Sequence, residues 1–583
     1  MKPTIFRPRL FQSLHNYTWN DLAADAVAGV TVGIIALSLS MALGIASERT
    51  PAAGIVTAIV AGFLVSAFSG SKIQIGGPTA AFIPVVVGVA HSYGVAGLTL
   101  CTMLAGLFLI LMGIARLGVM IKYIPVPVIA GFTAGIAIYI FSTQVKDFLG
   151  LQTTEVSPAA FPEKVAYLWR HLNSLHWPSA VLACGSLALI ELWPGRWNRR
   201  IPGSIAAIIV ATATVAIFHL PVETIGSRFG PDAIPRTLPW PVLPAFHWQE
   251  IGALVRPAFT IALLAAIESL LCAVVADGMI EDKHDSNTEL IAQGLANLGS
   301  ALFGGLPATG ALARTAANIR SGGRTPIAGI IHAFTILVVV FAAAPLARFI
   351  PLPALSAVLV VVALRMGEWH HFARLVKWPR SDSVVFLLTF ILTILTDLTV
   401  AVEVGMVLAA VLFIRRISES TRLTGIDERE LDFDAADSLR GRTLPSGVAA
   451  FQLMGAFMFG ATDRLEAALK SAHGVPHVII LGMKRVLALD ATGLHALEDF
   501  HAELVHTHVQ LIISSAHTQP LMAMANGGLV KLIGERNFCG DMDAAIARSR
   551  ELLDRPEIPD NREATRAALP VPRSGPGPDC SAN

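Results

Sequence analysis

From near Ala26 to Ile414 the chain runs through one apolar stretch after another, separated only by short polar turns. A helix needs about 20 apolar residues to cross a bilayer, and inside hydrocarbon every backbone N–H and C=O must be satisfied within the segment. That feature confines most of the chain to a polytopic helical membrane protein. About fourteen segments can be separated, at roughly 26–46, 52–68, 78–93, 95–113, 124–142, 179–193, 201–218, 258–276, 288–303, 311–320, 325–345, 352–366, 382–396 and 398–414, several of them too short to cross alone. Composition agrees, with 54% hydrophobic and 15% charged residues and a mean hydropathy of +0.62. A net charge of +1 offers no basic surplus to attract nucleic acid. The cysteines (Cys101, Cys184, Cys272, Cys539, Cys580) are scattered and contain no C-x-x-C pair, which argues against a disulfide framework or thiolate-bound metal. The opening residues carry Lys2, Arg7, Arg9, Asp21 and Asp25 and no short apolar core before a cleavage site, so 1–25 reads as a cytoplasmic N-terminal segment.

Two segments are broken at their starts. Gly76-Gly77-Pro78-Thr79-Ala80-Ala81 opens the third, and Gly304-Gly305-Leu306-Pro307-Ala308-Thr309-Gly310-Ala311 opens the tenth. Divided into two sevens, about 26–218 and about 258–416, the segments place these breaks at the same position of each half. Gly/Pro-interrupted helices at matching positions of two repeats point to a transporter binding site near the bilayer midplane. Because seven is odd, the halves have opposite topology. The other explanation is that the small residues only allow close helix packing.

Lys and Arg are denser in the loops that lie inside if the N-terminus is inside, including Lys72, Arg116, Lys122, Arg196, Arg199, Arg200, Lys283, Arg320, Arg324, Arg365, Arg374, Lys377, Arg380, Arg415 and Arg416. An even number of crossings then leaves both termini in the cytoplasm. After Arg416 charges become frequent, and strand-like runs at Val448–Gly460, His477–Lys484 and Val509–Ala516 alternate with helical patterns at Ala461–Ala472, Ala491–Thr507, Gln519–Asn526 and Met542–Leu552. This predicts a soluble α/β domain over 425–553. The Pro/Gly/Ser-rich end, 554–583, has too few large apolar residues to build a core and is expected to be disordered.

In this topology the segment at Pro78 rises from the inside and the segment at Ala311 descends from the outside, so their N-termini meet in mid-membrane. Unpaired N–H groups and the positive helix-dipole ends make such a place an anion site built from backbone. The small residues Thr79, Ala80, Ala81, Ala311 and Ala313 allow close approach. Arg314, in the first turn of the second half-helix, is costly in a membrane unless it serves a partner, either the anion or an intramembrane acid. Glu268 stands inside a long apolar helix and reads as a proton or Na⁺ partner or as a hydrogen-bonded structural carboxyl. No H-E-x-x-H, G-x-x-x-x-G-K-[ST] or G-x-S-x-G motif indicates an enzyme.

These residues resemble the SulP anion transporters with a C-terminal STAS domain, over about residues 20–550. The most specific stretches are Asp25–Gly33, Gly76-Gly77-Pro78-Thr79-Ala80-Ala81-Phe82, Lys283–Leu290 with Gln293-Gly294, and Thr309–Thr315. The resemblance implies a homodimer in the cytoplasmic membrane whose core domain (segments 1–4 and 8–11) moves against a gate domain (segments 5–7 and 12–14). It places Leu39, Leu43, Ala81, Phe82, Leu312, Ala313 and Arg314 around the anion. Many members have Pro-Gln where this chain has Ser38-Leu39, and an aromatic residue at Leu43, so its pocket is more apolar. Some bicarbonate-transporting relatives read Asp-Thr-Leu-Leu-Thr where this chain reads Glu268-Ser269-Leu270-Leu271-Cys272. The carboxylate is kept and the second hydroxyl lost, which favours H⁺ over Na⁺ as coupling ion. The soluble unit is similar to a STAS domain, with Asp490-Ala491-Thr492-Gly493 at its strand-to-helix turn, where related domains carry a phosphorylatable hydroxyl. Thr492 also fits a plain helix N-terminal position. The implied function is secondary transport of a small inorganic anion by alternating access, sulfate first and bicarbonate second, with dicarboxylates open. No cofactor beyond a coupling ion is implied. An anion channel, or a membrane-anchored scaffold whose STAS domain binds a cytoplasmic partner, are the competing classes.

Overall fold

The computed structural model describes residues 6–554 apart from 16, 120–124, 154, 156, 159, 195–201, 231–232, 244–247, 368, 397, 421, 426–442 and 458–475. The helix expected at Ala461–Ala472, the loop cations Lys122, Arg196, Arg199 and Arg200, and the tail from 555 onward lie outside the described residues. The chain forms two compact units that divide between Ala409 and Ala410.

The main helices up to that division are α1 (Trp19–Ala46), α2 (Pro51–Phe68), α3 (Ile83–Ile114), α4 (Val126–Leu149), α5 (Trp177–Glu191), α6 (Gly203–Phe218), α7 (Trp248–Ile280), α8 (Ser286–Leu302), α9 (Leu312–Arg320), α10 (Pro326–Ala347), α11 (Leu352–Met366) and α12 (Arg380–Leu395), and α13 (Leu398–Ser420) contains the division. Among the described residues, seven helices are long and apolar enough to cross a bilayer and three more are apolar but shorter. Helix α1 begins seven residues before the apolar stretch read from the sequence. Thr18 and Asp21 form a reciprocal capping box that lets a polar first turn extend the helix. The two stretches expected at 78–93 and 95–113 are one element broken at Gly94 (φ 68°, ψ −170°), a backbone conformation that glycine adopts without strain.

Two packed groups form around these helices. Helices α1, α2, α3, α7, α8, α9 and α10 pack on one another, while α4 packs against α11 and α12, and α5 against α11 and α6. Helices α3 and α8 cross closely. A Cβ added at Gly294 would stand 2.5 Å from the Gly106 carbonyl oxygen, and one added at Gly106 would stand 2.8 Å from the Gly294 oxygen. Small residues let backbones approach this closely in a membrane, where packing rather than hydrophobic exclusion holds helices together. Gly294→Val is therefore expected to destabilise the membrane unit by roughly 1–3 kcal/mol through overpacking. Thermal unfolding in detergent checks this, and an unchanged midpoint would mean that the crossing can relax.

The second unit contains a five-stranded sheet in the order β3-β4-β5-β6-β7 (Arg422–Gly425, Val448–Phe457, Val478–Leu489, Gln510–Ser514, Phe538–Cys539), antiparallel between β3 and β4 and parallel elsewhere. Strand periodicity sorts its faces. Ile479 and Leu481 join a core with Leu497, Phe500 and Leu504 of α14 (Ala491–His506), while Val478 and Ile480 pack with Met542, Ala545 and Ile546 of α16 (Met542–Leu553). Helix α15 (Thr518–Asn526) lies between them in sequence, and its Gln519 side chain bonds both the N–H and the C=O of Leu489 at 2.9 Å.

Candidate functional site

The two broken segments meet. Gly76 and Gly77 form a two-residue strand, β1, paired antiparallel with Thr309 and Gly310, β2, in the register Gly76↔Gly310 and Gly77↔Thr309. Each strand leads into a helix start, the turn Ala80–Phe82 with α3 on one side and α9 on the other. Extended Gly-Gly followed by Pro78 cannot continue a helix, so the first half-helix opens at Ala80 rather than at Pro78. Further bonds lock the junction. The Ala311 N–H donates to the Ile75 carbonyl at 2.8 Å, the Ile75 N–H to Thr315 Oγ1 at 3.0 Å, and Asn318 Nδ2 to the Ile73 carbonyl at 2.9 Å. On the opposite side Thr309 Oγ1 donates to the Ala265 carbonyl at 2.9 Å, and Gln74 Nε2 to the Ser269 carbonyl at 3.1 Å, which ties α7 to both breaks. In α9 the first intrahelical bond runs from the Thr315 N–H to the Ala311 carbonyl at 2.9 Å. The N–H groups of Leu312, Ala313 and Arg314 therefore have no acceptor within the helix.

Arg314 is 2% exposed. Its Nη2 donates to the Pro78 carbonyl at 3.0 Å and lies 3.4 Å from Ser40 Oγ of α1, while Nε and Nη1 have no partner among the described residues. The guanidinium rests on Gly77, where an added Cβ would stand 2.2 Å from Nη1, so this glycine (φ 153°) makes room for the cation. Burying a cation with two unsatisfied donors is expensive, and a ligand that accepts from them removes that cost. Thr79 Oγ1 donates to Glu268 Oε2 at 3.0 Å, which holds the half-buried carboxyl beside the first break.

Of the residues singled out from the sequence, Leu43, Ala80, Ala81 and Phe82 are buried in one core cluster and Ala311 is buried at the start of α9, Leu39 and Thr79 are half-buried, and Leu312 and Ala313 are exposed. Cys272 is buried one turn beyond Glu268, and its thiol donates to Thr315 Oγ1 at 3.3 Å, so it faces α9 and not the carboxyl. Glu403 of α13 pairs with Arg256 of α7 at 2.7 Å, both side chains reaching solvent. In the second unit Asp490, not Thr492, caps α14 by accepting from the Gly493 N–H at 2.8 Å; Thr492 is exposed in the first turn. Sequence reasoning passed over Ser40, Glu289 and His332. Glu289 is fully buried and accepts from Ser69 Oγ, the Gly70 N–H and Gln293 Nε2, which joins α8 to the end of α2. The lone titratable residue of an apolar helix was the available signal for His332.

Comparison with known proteins covers nearly the whole chain. The sulfate permease family matches residues 22–389 and the STAS domain residues 442–545. YvdB of Bacillus subtilis (strain 168), which carries a sulfate-transporter name, is 37% identical over 524 residues, covering 90% of this chain and 97% of its own length. The bicarbonate transporter BicA of Picosynechococcus sp. is 31% identical over 524 residues, 86% of this chain and 90% of that protein. The solved transmembrane domain of a cyanobacterial BicA superposes with a TM-score of 0.60 at 31% identity over 66% of this chain and 98% of that one. Murine Slc26a9, an anion transporter solved in an inward-facing state, reaches a TM-score of 0.82 at 17% identity over 93% and 94% of the two chains, a likeness of fold. The chain belongs to the sulfate permease (SulP) family, as an integral membrane transporter with a C-terminal STAS domain.

Proposed function

We propose that this protein is a secondary active transporter that carries a small inorganic anion, sulfate first, between the half-helix starts at Ala80–Phe82 and Leu312–Arg314. The observation that carries the reading is the β1–β2 pairing, which brings two helix N-termini and the buried, partly unpaired Arg314 to one place. In this reading the fourteen segments form a seven-plus-seven inverted repeat. The α1–α3 and α7–α10 group is the moving core, and α4–α6 with α11–α13 the gate. Backbone donors and Arg314 bind the anion, Leu39, Leu43, Ala81, Phe82 and Leu312 exclude water around it, and Glu268 carries the coupling ion, H⁺ ahead of Na⁺. The protein works as a homodimer in the cytoplasmic membrane with both termini in the cytoplasm, and the STAS domain modulates transport or receives a cytoplasmic partner. Thr492, exposed at the start of α14, is a candidate modification site on it. The name of YvdB supports sulfate. BicA, nearly as well covered, supports bicarbonate as the second reading.

Uptake of labelled sulfate, bicarbonate and dicarboxylates into proteoliposomes, with imposed H⁺ or Na⁺ gradients, tests the proposal. The expected result is saturable sulfate uptake with counterflow. An ohmic current without counterflow would make the protein a channel, and no flux of any of these anions would leave only an anchor. Truncation after Arg416 is expected to leave an insertable, anion-binding membrane unit with altered transport rate or weaker dimerisation. If the truncated chain cannot be extracted folded, the domain division is wrong.

A further inference from the structure

His332 of α10 is fully buried, and neither ring nitrogen has a hydrogen-bond partner among the described residues. Buried polar groups are nearly always bonded, so an orphaned imidazole calls for a physical reason. Its position supplies one. A Cβ added at Gly62 of α2 would stand 3.3 Å from the Gly76 carbonyl oxygen and 3.5 Å from the imidazole Nδ1 and Cε1. The ring thus abuts Gly62, which packs under the Gly76 carbonyl of β1, and the next residue, Gly77, is the one on which the Arg314 guanidinium rests. Other orphaned atoms, Ser66 Oγ, Gln74 Oε1, Asn318 Oδ1 and Arg314 Nε and Nη1, belong to residues around the same 73–78 segment.

The elements packed on His332 bring few charges. On α1, whose Gly33 meets the His332 carbonyl, the titratable residues are Asp21 and Asp25, both in its opening turns; Asp25 is bound there by Thr325 Oγ1 at 2.5 Å and by the Arg324 and Thr325 N–H groups. Helix α2 and β1 have none. Helix α9 contributes Arg314 and, at its far exposed end, Arg320, while Glu268 of α7 is engaged by Thr79.

We propose that His332 is a proton-binding site linked to the anion site, taking up one proton from bulk water as an anion settles against Arg314 and returning it as the anion leaves. The inference rests on the reading of Arg314 as the anion's counter-charge. With the site empty, a second cation beside Arg314 is opposed by repulsion in a water-poor interior. A divalent anion compensates both charges at once, and by linkage a proton that binds with the anion must also tighten the anion's binding. No bond of the anion changes.

The test adds sulfate or fumarate to the full-length protein in weakly buffered detergent solution near neutral pH, where neither anion takes up a proton itself, and counts protons with an indicator dye. The expected result is one more proton per bound anion in wild type than in His332→Gln. Affinity should tighten by up to about tenfold per unit fall in pH in wild type, and that component should be absent from the variant. The same difference is expected in a Glu268→Gln background. Equal counts in wild type and His332→Gln or His332→Asn, or a difference that disappears once Glu268 is replaced, would overturn the assignment. So would anion binding to wild type with no proton uptake, an outcome independent of whether any variant folds. If neither anion binds wild type, the anion-site reading itself has failed, which is a different result from binding without protons.

Discussion

Arg314→Ala is expected to weaken anion binding by roughly 10- to 150-fold, because a charge-assisted hydrogen bond to a buried group is worth about 1.5–3 kcal/mol. The folded protein should survive, since the β1–β2 pairing, the Ala311–Ile75 bond and the Thr315–Ile75 bond do not involve the guanidinium. Only the bonds from Nη2 to Pro78 and Ser40 are lost. Arg314→Lys should recover part of the affinity, because an ammonium restores the charge but not the planar fork of donors. Titration and thermal unfolding on the same preparation separate the two roles. An Ala variant of normal affinity and lowered stability would make Arg314 a structural cation that merely ties α9 to Pro78.

Glu268→Gln is expected to leave anion exchange running while concentrative uptake falls. Glutamine keeps the volume and an acceptor for Thr79 Oγ1, now 3.0 Å from the carboxyl oxygen, but cannot change charge. A tenfold gradient of one coupled ion is worth about 1.4 kcal/mol, so losing that ion should lower the accumulation ratio by roughly tenfold. If His332 binds a proton with the anion, the concentrative uptake that remains under a pH gradient should be lost on adding His332→Gln. Accumulation that responds to both pH and Na⁺ gradients as in wild type would return Glu268 to a structural role.

The sequence showed the site's skeleton because the skeleton is made of residues with strong backbone preferences. Gly76-Gly77-Pro78 and Thr309-Gly310 announce interrupted helices whatever surrounds them, and an acid and an arginine in apolar surroundings stand out by cost alone. What it hid depends on packing. Nothing in the apolar run around Gly94 marks a single broken helix rather than two segments, and the polar turn before Asp25 gives no hydropathy signal of the capped helix that begins at Trp19. Ser40 contacts Arg314 across 274 residues of chain. Glu289 is a first-turn acid of α8, a place where acids are ordinary, and its partners are on the loop after α2 and on its own helix. Cys272 sits one turn from Glu268, as spacing requires, but its rotamer sends the thiol to Thr315. Helical periodicity fixes a face and leaves the partner to the tertiary fold.

The claim on which the rest depends is that the transported anion lies between the two half-helix starts. Anomalous diffraction from crystals grown with selenate, which matches sulfate in shape and charge, locates the anion directly. The expected result is a selenium peak between residues 79–82 and 312–314, with its oxygens in reach of the first-turn N–H groups and the free donors of Arg314. Selenate that binds in solution, displaced by sulfate, but whose peak lies away from both helix starts would contradict the account.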